Sequence, residues 1–332
     1  MNIQTIRIAA LCLAVVATPA FAAELTLPKD GWTSWQVEAV EGAPDWCCWS
    51  GRGDSDASRA PCKLDQDSGN FGSRDKQTTD SVRVYARLAG GMVERLRVLS
   101  ATCPVEARTP IHELGNVAVD DSARWLTTLS KRQGTDKNDD LQENVLAGLA
   151  MHRGDLAQNA LTEIARGNDR AETRKKAIFW LALLRGTAGA EAASSAMFND
   201  KDPQVRQHAA FAITESKLPN VAQHLIRLGN TDSDGEVRAQ AWFWLAHTGA
   251  SGAEEAITAA LKKDKDDQVR EQAIFALSQL PDDRATRALV KVAEDRSLSH
   301  EQRKRAVFWL AQSESEGAQK YLETVLVGNV SN

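Results

Sequence analysis

The feature that most constrains this chain is a short phrase that recurs five times at almost fixed spacing. Each copy begins with an arginine, has an alanine three residues later, and continues into an apolar run that contains a phenylalanine. The arginines follow one another at steps of 32, 32, 32 and 33 residues: Arg174, Arg206, Arg238, Arg270 and Arg303. A period of this length is typical of stacked supersecondary units, none of which buries its apolar face alone. The pattern therefore predicts an open, repetitive array with long exposed surfaces.

Each unit is predicted to hold two helices. The phrase lies in an apolar first helix, and an amphipathic second helix follows it. Acidic turns precede several of the first helices, and Asp202, Asp234 and Asp266 recur in them at steps of 32. An aspartate at this position accepts a hydrogen bond from a free amide and stabilises the positive end of the helix dipole. These three residues are therefore predicted to be N-caps.

The acidic turn, the Val-Arg pair and the alanine resemble the HEAT repeat, particularly the short bacterial form that also occurs in phycobilin lyase subunits. The resemblance is most specific at 202–206 and 266–270, and it extends over roughly residues 140 to 328. A segment at 142–149 keeps the spacing but lacks the arginine, and we interpret it as a capping unit. The resemblance implies a mainly α protein. Its armadillo-like α-solenoid would contain about six HEAT-like helix pairs and serve as a scaffold for proteins.

The first 23 residues have the pattern of a secretion signal. Arg7 is the one charge in this stretch, Ile8 to Val16 is apolar, and Ala20 to Ala23 has the small residues of a cleavage site. We therefore predict export, with a bacterial periplasm as the location. No later stretch is apolar enough for a transmembrane helix in the mature chain.

Residues 24–118 are predicted to form a small β-rich domain, and residues 119–332 the HEAT-repeat solenoid. Two runs with alternating apolar residues flank Gly90-Gly91, which predicts a β-hairpin. Residues 34–40 suggest another strand, and the polar stretch from 51 to 80 is predicted to be a loop.

All four cysteines of the predicted mature chain lie in the β-rich region: Cys47, Cys48, Cys62 and Cys103. An even number in an exported chain indicates two disulfides. A bridge between the adjacent Cys47 and Cys48 would strain the backbone, so we expect each to join a different later cysteine. A metal site or a redox pair is the competing interpretation.

Catalytic patterns are missing from the sequence. None of the six histidines stands in a metal-binding spacing, and no phosphate-binding or nucleophile motif occurs. Deoxyhypusine hydroxylase, a HEAT enzyme, binds iron through His-Glu pairs just before the repeat alanine, whereas those positions here hold other residues. A formal net charge of −5 disfavours nucleic acid as a partner. We therefore predict no catalytic residues, no metal and no cofactor.

Aromatic residues recur with the repeat. Helical geometry turns one phenylalanine per unit away from the buried stripe: Phe179, Phe211, Phe243, Phe275 and Phe308. Three tryptophans occupy the core alanine position in alternate units, which suggests packing between pairs of repeats: Trp180, Trp244 and Trp309. Neighbouring first helices could cover the phenylalanines, or the phenylalanines could form an exposed stripe that binds a partner or the β-rich domain. The five arginines are expected to pair with aspartates between units rather than to form an anion site.

These observations predict an exported, non-catalytic HEAT-repeat scaffold. It would mediate interaction with a protein partner, in envelope signalling or regulation. One alternative is a thiol-redox or other enzyme that uses the Cys47-Cys48 region. The other is a bilin-lyase-like protein or a small-molecule carrier.

Overall fold

The structure is a computed structural model, and its description is limited to part of the chain. The described residues are 25–49, 61–66, 70–131, 139–168, 170–216, 218–281 and 283–328. The predicted signal peptide lies outside them.

Thirteen helices follow eight strands in the described part of the chain. The helices are α1 Val119–Lys131, α2 Asp139–Met151, α3 Asp155–Gly167, α4 Ala171–Leu184, α5 Gly186–Asn199, α6 Pro203–Thr214, α7 Val221–Thr231, α8 Gly235–His247, α9 Ala253–Lys263, α10 Asp267–Ser278, α11 Asp283–Glu294, α12 His300–Ala311 and α13 Glu316–Gly328. From α2 onward they form six consecutive pairs. The predicted mainly α fold with helix pairs is confirmed, and α1 is an additional helix that precedes the first pair.

Local sequence explains where the first helices begin and which side they bury. The Asp202 and Asp266 carboxylates each accept a hydrogen bond at 2.9 Å from an amide two residues later, and Asp234 accepts one at 3.1 Å from the Val237 amide. Ser299 and Gln302 form a capping box at α12. Within α6 the buried residues include the stripe expected at helical spacing: Val205, Ala209, Ala212 and Ile213.

The N-terminal region contains a four-stranded sheet in the order β6-β5-β1-β8. Its strands and those of two smaller sheets are β1 Gly31–Glu38, β2 Pro44–Trp49, β3 Cys62–Lys63, β4 Asn70–Thr78, β5 Ser81–Ala89, β6 Met92–Ser100, β7 Val105–Glu106 and β8 Ile111–Asn116. The predicted hairpin is β5–β6, and its turn residues Gly90 and Gly91 have φ values of 58° and 79°, which glycine adopts readily.

The prediction of a loop over 51–80 is wrong for two segments, Cys62–Lys63 and Asn70–Thr78, which form strands β3 and β4. Residues 51–60 and 67–69 of the predicted loop lie outside the described part of the chain. β4 pairs antiparallel with β2, and Cys48 lies opposite Phe71 in this pairing. The sequence of β4 shows no alternation of apolar residues. Its pairing with β2 makes this segment a strand.

Two disulfides lie on one side of the four-stranded sheet. Cys47 joins Cys103 and Cys48 joins Cys62, with Cα–Cα distances of 5.6 and 5.2 Å. The four cysteines pack with Trp32, Tyr85 and Leu99 in a small buried cluster. Cys47 and Cys48, which are neighbours in the sequence, thus each join a different later cysteine, as predicted.

The opposite side of the sheet packs on α1 and α2. Trp35, Val84 and Val98 belong to the same buried cluster as Leu126 and Leu146, and this cluster continues through the helical units as far as α13. Residue 118 therefore marks a change from strands to helices, while the apolar core runs across it. Among the described residues, no helix is both long and apolar enough to cross a membrane.

Candidate functional site: an aromatic ladder on the first helices

Nine aromatic rings form one continuous row along the first helices, which we call the aromatic ladder. In spatial order its members are Trp46, Trp180, Phe179, Phe211, Trp244, Phe243, Phe275, Trp309 and Phe308. Successive ring centroids are between 4.9 and 6.1 Å apart. The row begins in β2 and ends in α12. It therefore links the sheet region to the helical units.

The contacts between units alternate, and one residue position explains why. Where the residue after the phenylalanine is alanine, the phenylalanine stacks on that of the preceding unit: Phe211 on Phe179 at 6.1 Å, Phe275 on Phe243 at 5.7 Å. Where it is tryptophan, the indole reaches the preceding unit instead. Trp244 lies 4.9 Å from Phe211, and Trp309 lies 4.9 Å from Phe275.

The phenylalanines are covered by their neighbours only in part. The first four are half-buried, and Phe308 in the last unit is 48% exposed. The rings therefore pack between units and also remain partly exposed, while binding of a partner by the exposed part stays a prediction.

The expectation that the three tryptophans replace core alanines needs correction. Trp180 is 6% exposed, but Trp244 and Trp309 are only half-buried. The corresponding Ala212 and Ala276 are fully buried. An indole is too large for the space that an alanine fills, so these two side chains extend into the ladder.

Mostly uncharged polar residues flank the middle of the ladder. One helical turn before Phe211, Phe243 and Phe275, the exposed or half-buried positions hold Gln207, His208, Ala239, Gln240, Glu271 and Gln272. The His208 ring lies 5.8 Å from Phe211 and 6.4 Å from Phe179. Burial and the charge of Lys175 lower the pKa of His208.

A second row, made of arginine–aspartate pairs, holds successive units together. Arg206 donates from Nε and Nη2 to both carboxylate oxygens of Asp232, at 2.8 and 2.9 Å. Asp232 lies in the acidic turn that precedes the first helix of the next unit. Its Nη1 donates to the Asp200 carbonyl at 2.9 Å. Two further pairs have the same bidentate geometry: Arg174 with Asp200 and Arg238 with Asp264.

The row ends after the third pair. Arg270 pairs with Asp267 in its own helix and donates to the Asp264 carbonyl, and Arg303 donates to the Leu298 carbonyl. The position 26 residues after Arg270 is Arg296, so no carboxylate stands there. The expected pairing between units is therefore wrong for Arg270 within the described residues.

The partner aspartates were not singled out from the sequence. Asp200, Asp232 and Asp264 also recur at steps of 32, two residues before the N-cap aspartates, and this spacing is the signal that could have identified them. Burial opposes ionisation of Asp232. Its hydrogen bonds from Arg206 and from the Asp234 amide, together with the nearby arginine charges, nevertheless lower its pKa. The pKa values of Asp200 and Asp264 are lowered by equivalent contacts.

Other described groups offer little chemistry. Asp45, Cys47 and Cys103 are close enough to hold a metal, but the two sulfurs are bonded to each other and are not available as thiolate ligands. An open groove of about 450 Å³ lies between α11 and α13, with Val290 and Tyr321 among its lining residues.

Comparison with known proteins identifies the repeat. A family model described as HEAT repeats matches residues 158–242 and 230–310. Residues 158–310 of this chain are built of HEAT repeats. The matched ranges contain the first four arginine-led phrases whole and the fifth up to Leu310. No curated protein matches the sequence significantly.

Among solved structures, the Escherichia coli protein YibA is 22% identical, with 62% of this chain and 80% of that chain covered and a TM-score of 0.37. Human deoxyhypusine hydroxylase, in complex with glycerol, is 15% identical, with coverages of 61% and 91% and a TM-score of 0.30. A computationally designed, self-assembling cyclic homo-oligomer is 16% identical, with coverages of 62% and 76% and a TM-score of 0.14. At such scores these likenesses carry no information about activity.

Proposed function

We propose that this HEAT-repeat protein is an exported, non-catalytic scaffold that binds a protein partner along the aromatic ladder and acts in the bacterial envelope. The observation that carries the proposal is the continuity of the ladder. Aromatic residues are enriched at protein interfaces, where a few side chains contribute most of the binding energy. HEAT repeats commonly mediate protein interactions, and they present long surfaces for this purpose.

Export is supported by the N-terminal sequence and by the cysteines. Two buried disulfides are compatible with an oxidising extracellular compartment. We therefore place the protein in the periplasm, where the signal sequence would direct it.

The alternatives receive less support from the described residues. Cys47 and Cys48 are buried and bonded to different cysteines, whereas a redox pair must exchange its bonds at an accessible sulfur. Under native, non-reducing conditions, thiol alkylation followed by mass spectrometry is expected to label none of the four. Labelling of Cys47 or Cys48 would instead favour the thiol-redox enzyme.

The scaffold proposal is tested by crosslinking and affinity purification of the full chain from envelope extracts. We expect one specific protein to co-purify with the wild type and to be lost with a triple variant of the ladder, Phe211→Ala, Phe243→Ala and Phe275→Ala. The control combines Met92→Ala and Val325→Ala, because these side chains are 74% and 36% exposed and lie outside the ladder. Circular dichroism checks that each variant folds.

Equal recovery of the partner with the ladder variant would contradict the proposed surface. The absence of any specific partner with both wild type and variants would contradict the scaffold function itself.

A further inference from the structure

One tryptophan of the ladder's first helices is covered, and its two counterparts are not. Trp180, Trp244 and Trp309 occupy the same position in their units, directly after the phenylalanine, at intervals of two repeats. Trp180 is 6% exposed, whereas Trp244 and Trp309 are half-buried. Since the three indoles are equivalent in the repeat, the difference comes from what lies over them.

Packing between helical units leaves such an indole half-buried. Trp244 lies 4.9 Å from Phe211 of the preceding unit. Trp309 lies 4.9 Å from Phe275 in the same way. Both tryptophans keep part of their surface exposed despite these contacts. A phenylalanine from the preceding unit is therefore not enough to cover the indole.

Trp180 is covered from the sheet region instead. The unit before it has Ala147 at the phenylalanine position, so that helix supplies no aromatic ring there. The indole of Trp46 in β2 meets Trp180 at a centroid distance of 6.0 Å and an interplanar angle of 76°. This edge-to-face geometry is a favoured arrangement of aromatic pairs. A strand thus provides the cover that the preceding helix lacks.

β2 presents Trp46 from an extended backbone that the sheet region holds in place. The strand pairs antiparallel with β4, and the Trp46 amide donates to the Ser100 hydroxyl at 2.8 Å. Cys47, the next residue along the strand, is bonded to Cys103. The chain therefore contains one example of the contact in question, an indole on an extended segment that packs against a tryptophan of the ladder.

The surroundings of the two uncovered indoles favour an aromatic side chain. Trp244 lies beside the rings of Phe243 at 4.9 Å and His247 at 5.7 Å. Trp309 lies beside Phe308 at 5.1 Å, and Phe308 is itself 48% exposed. Aromatic pairs at such distances are more favourable than their buried area alone accounts for, so an indole is preferred to an aliphatic group. Tryptophan is also enriched among the residues that contribute most to binding at interfaces.

We propose that the partner protein binds through an extended segment that carries a tryptophan. Its indole packs on Trp244 as Trp46 packs on Trp180, and Trp309 provides a second, equivalent position. The sheet region occupies the first position of this kind on the ladder and leaves the other two to the partner. This inference rests on the proposed scaffold function and names the side chain that the same surface recognises.

The binding experiment titrates the full chain into a fluorescently labelled peptide and follows anisotropy. The probe is acetyl-Ser-Val-Trp-Val-Ser-amide, whose β-branched valines favour an extended backbone. The matched control probe has leucine in place of tryptophan. A helical, alanine-rich peptide with a single tryptophan represents the competing backbone conformation.

A second measurement locates the bound indole. The full chain is labelled with fluorotryptophan, and the fluorine NMR signals of Trp244 and Trp309 are assigned from variants in which each is replaced by phenylalanine. We expect both signals to shift when the tryptophan probe is added, while that of Trp180 stays unchanged because Trp46 already covers it. Trp46→Ala removes this cover, so the Trp180 signal should then respond as well.

We expect saturable binding of the tryptophan probe and binding of the leucine probe that is weaker by roughly 2- to 10-fold, since leucine makes no aromatic pair. Trp244→Ala combined with Trp309→Ala should weaken binding of the tryptophan probe at least about tenfold, because the indoles that it contacts are lost. Ala212 and Ala276 hold this position in the alternate units, so alanine is compatible with the fold there. The control, Met92→Ala, removes an exposed apolar side chain outside the ladder and should bind as the wild type does.

Absence of saturable binding would overturn the proposal, as would equal or tighter binding of the leucine probe or of the helical peptide. So would an unchanged affinity of the double variant, or fluorine signals of Trp244 and Trp309 that do not shift. The purification described above separates the two failures. A partner that is lost with the phenylalanine variant of the ladder, but is neither displaced by the tryptophan probe nor lost with the double variant, leaves the scaffold function standing and refutes this mode of binding.

Discussion

At the scale of single residues, the arginine of the phrase has a role that lysine could not fill. Its planar group donates to both oxygens of one aspartate and, through its third nitrogen, to a backbone carbonyl six residues upstream. In each of the three pairs both side chains are almost wholly buried. A charge buried in this way is stabilising only while its partner remains.

We expect Asp232→Asn to lower the free energy of unfolding by about 3 kcal/mol, because it removes the negative charge to which the buried Arg206 is hydrogen-bonded. Denaturant unfolding at neutral pH measures the change. Asp267→Asn is the control, since Asp267 also pairs with an arginine but its side chain is 90% exposed, and little change is expected there. Equal effects of the two substitutions would contradict the role of the buried pair.

The same pairs predict how stability depends on acid. The pKa values of Asp200, Asp232 and Asp264 are lower in the folded protein than the usual value near ~3.9 in an unfolded chain. The unfolded state therefore binds these protons first, and the contribution present above pH ~4 is lost as the pH falls through the folded pKa values. Asp232→Asn should show a smaller loss of stability below pH ~4 than the wild type, as measured by denaturant unfolding across this range.

At the scale of elements, close packing of a second helix on a first helix depends on a residue with no side chain. Gly229 in α7 lies against the buried Trp242 of α8, and a Cβ added there would be 2.5 Å from two indole carbons. The indole is held on its other sides by the core. The contact therefore requires glycine, although glycine costs stability within a helix.

Gly229→Ala should consequently destabilise the protein by roughly 1–3 kcal/mol through overpacking. Gly167→Ala in α3 is the matched control, because an added Cβ there meets nothing within 4 Å and the substitution should be neutral or slightly stabilising. Thermal unfolding of both variants provides the comparison. A stable Gly229 variant would mean that Trp242 moves freely at this interface.

At the scale of the whole molecule, the sheet and the solenoid are joined by a buried chain of hydrogen bonds. The Trp35 indole donates to the Ser122 hydroxyl at 2.7 Å, and Ser122 contacts Nε2 of His152 at 2.7 Å. Nδ1 of His152 lies 2.6 Å from the Gly148 carbonyl. Neutral histidine fits this arrangement, with the proton on Nδ1 and Nε2 accepting from Ser122. Its burial lowers the pKa of His152 to about 4.

This junction should make the protein less stable in mild acid. Unfolded histidine takes up a proton below pH ~6.5 while folded His152 stays neutral until about pH 4, so stability falls over this interval, by about 3 kcal/mol in total. Urea unfolding between pH 7 and 4 measures the slope, and the NMR titration of the His152 ring identifies its source. A His152 resonance that titrates near pH 6.5 would contradict the buried, neutral histidine.

The sequence by itself determined the repeat, its helix pairs and the hairpin, because these follow from local patterns: a 32-residue period, N-cap aspartates and a Gly-Gly turn. It also indicated one phenylalanine per unit facing away from the core. Strand β4 could not be predicted, since its order comes from pairing with β2.

Only the tertiary structure decided how far the aromatic residues reach. Helical geometry fixes the direction of Trp244 and Trp309 on their own helices, but contact with Phe211 and Phe275 depends on how the units stack. Contacts between elements also decide that Arg206 pairs with Asp232 and not with Asp234. The same holds for the apolar core that the sheet and the helices share. Residues distant in the chain meet there, and no local pattern specifies which surfaces come together.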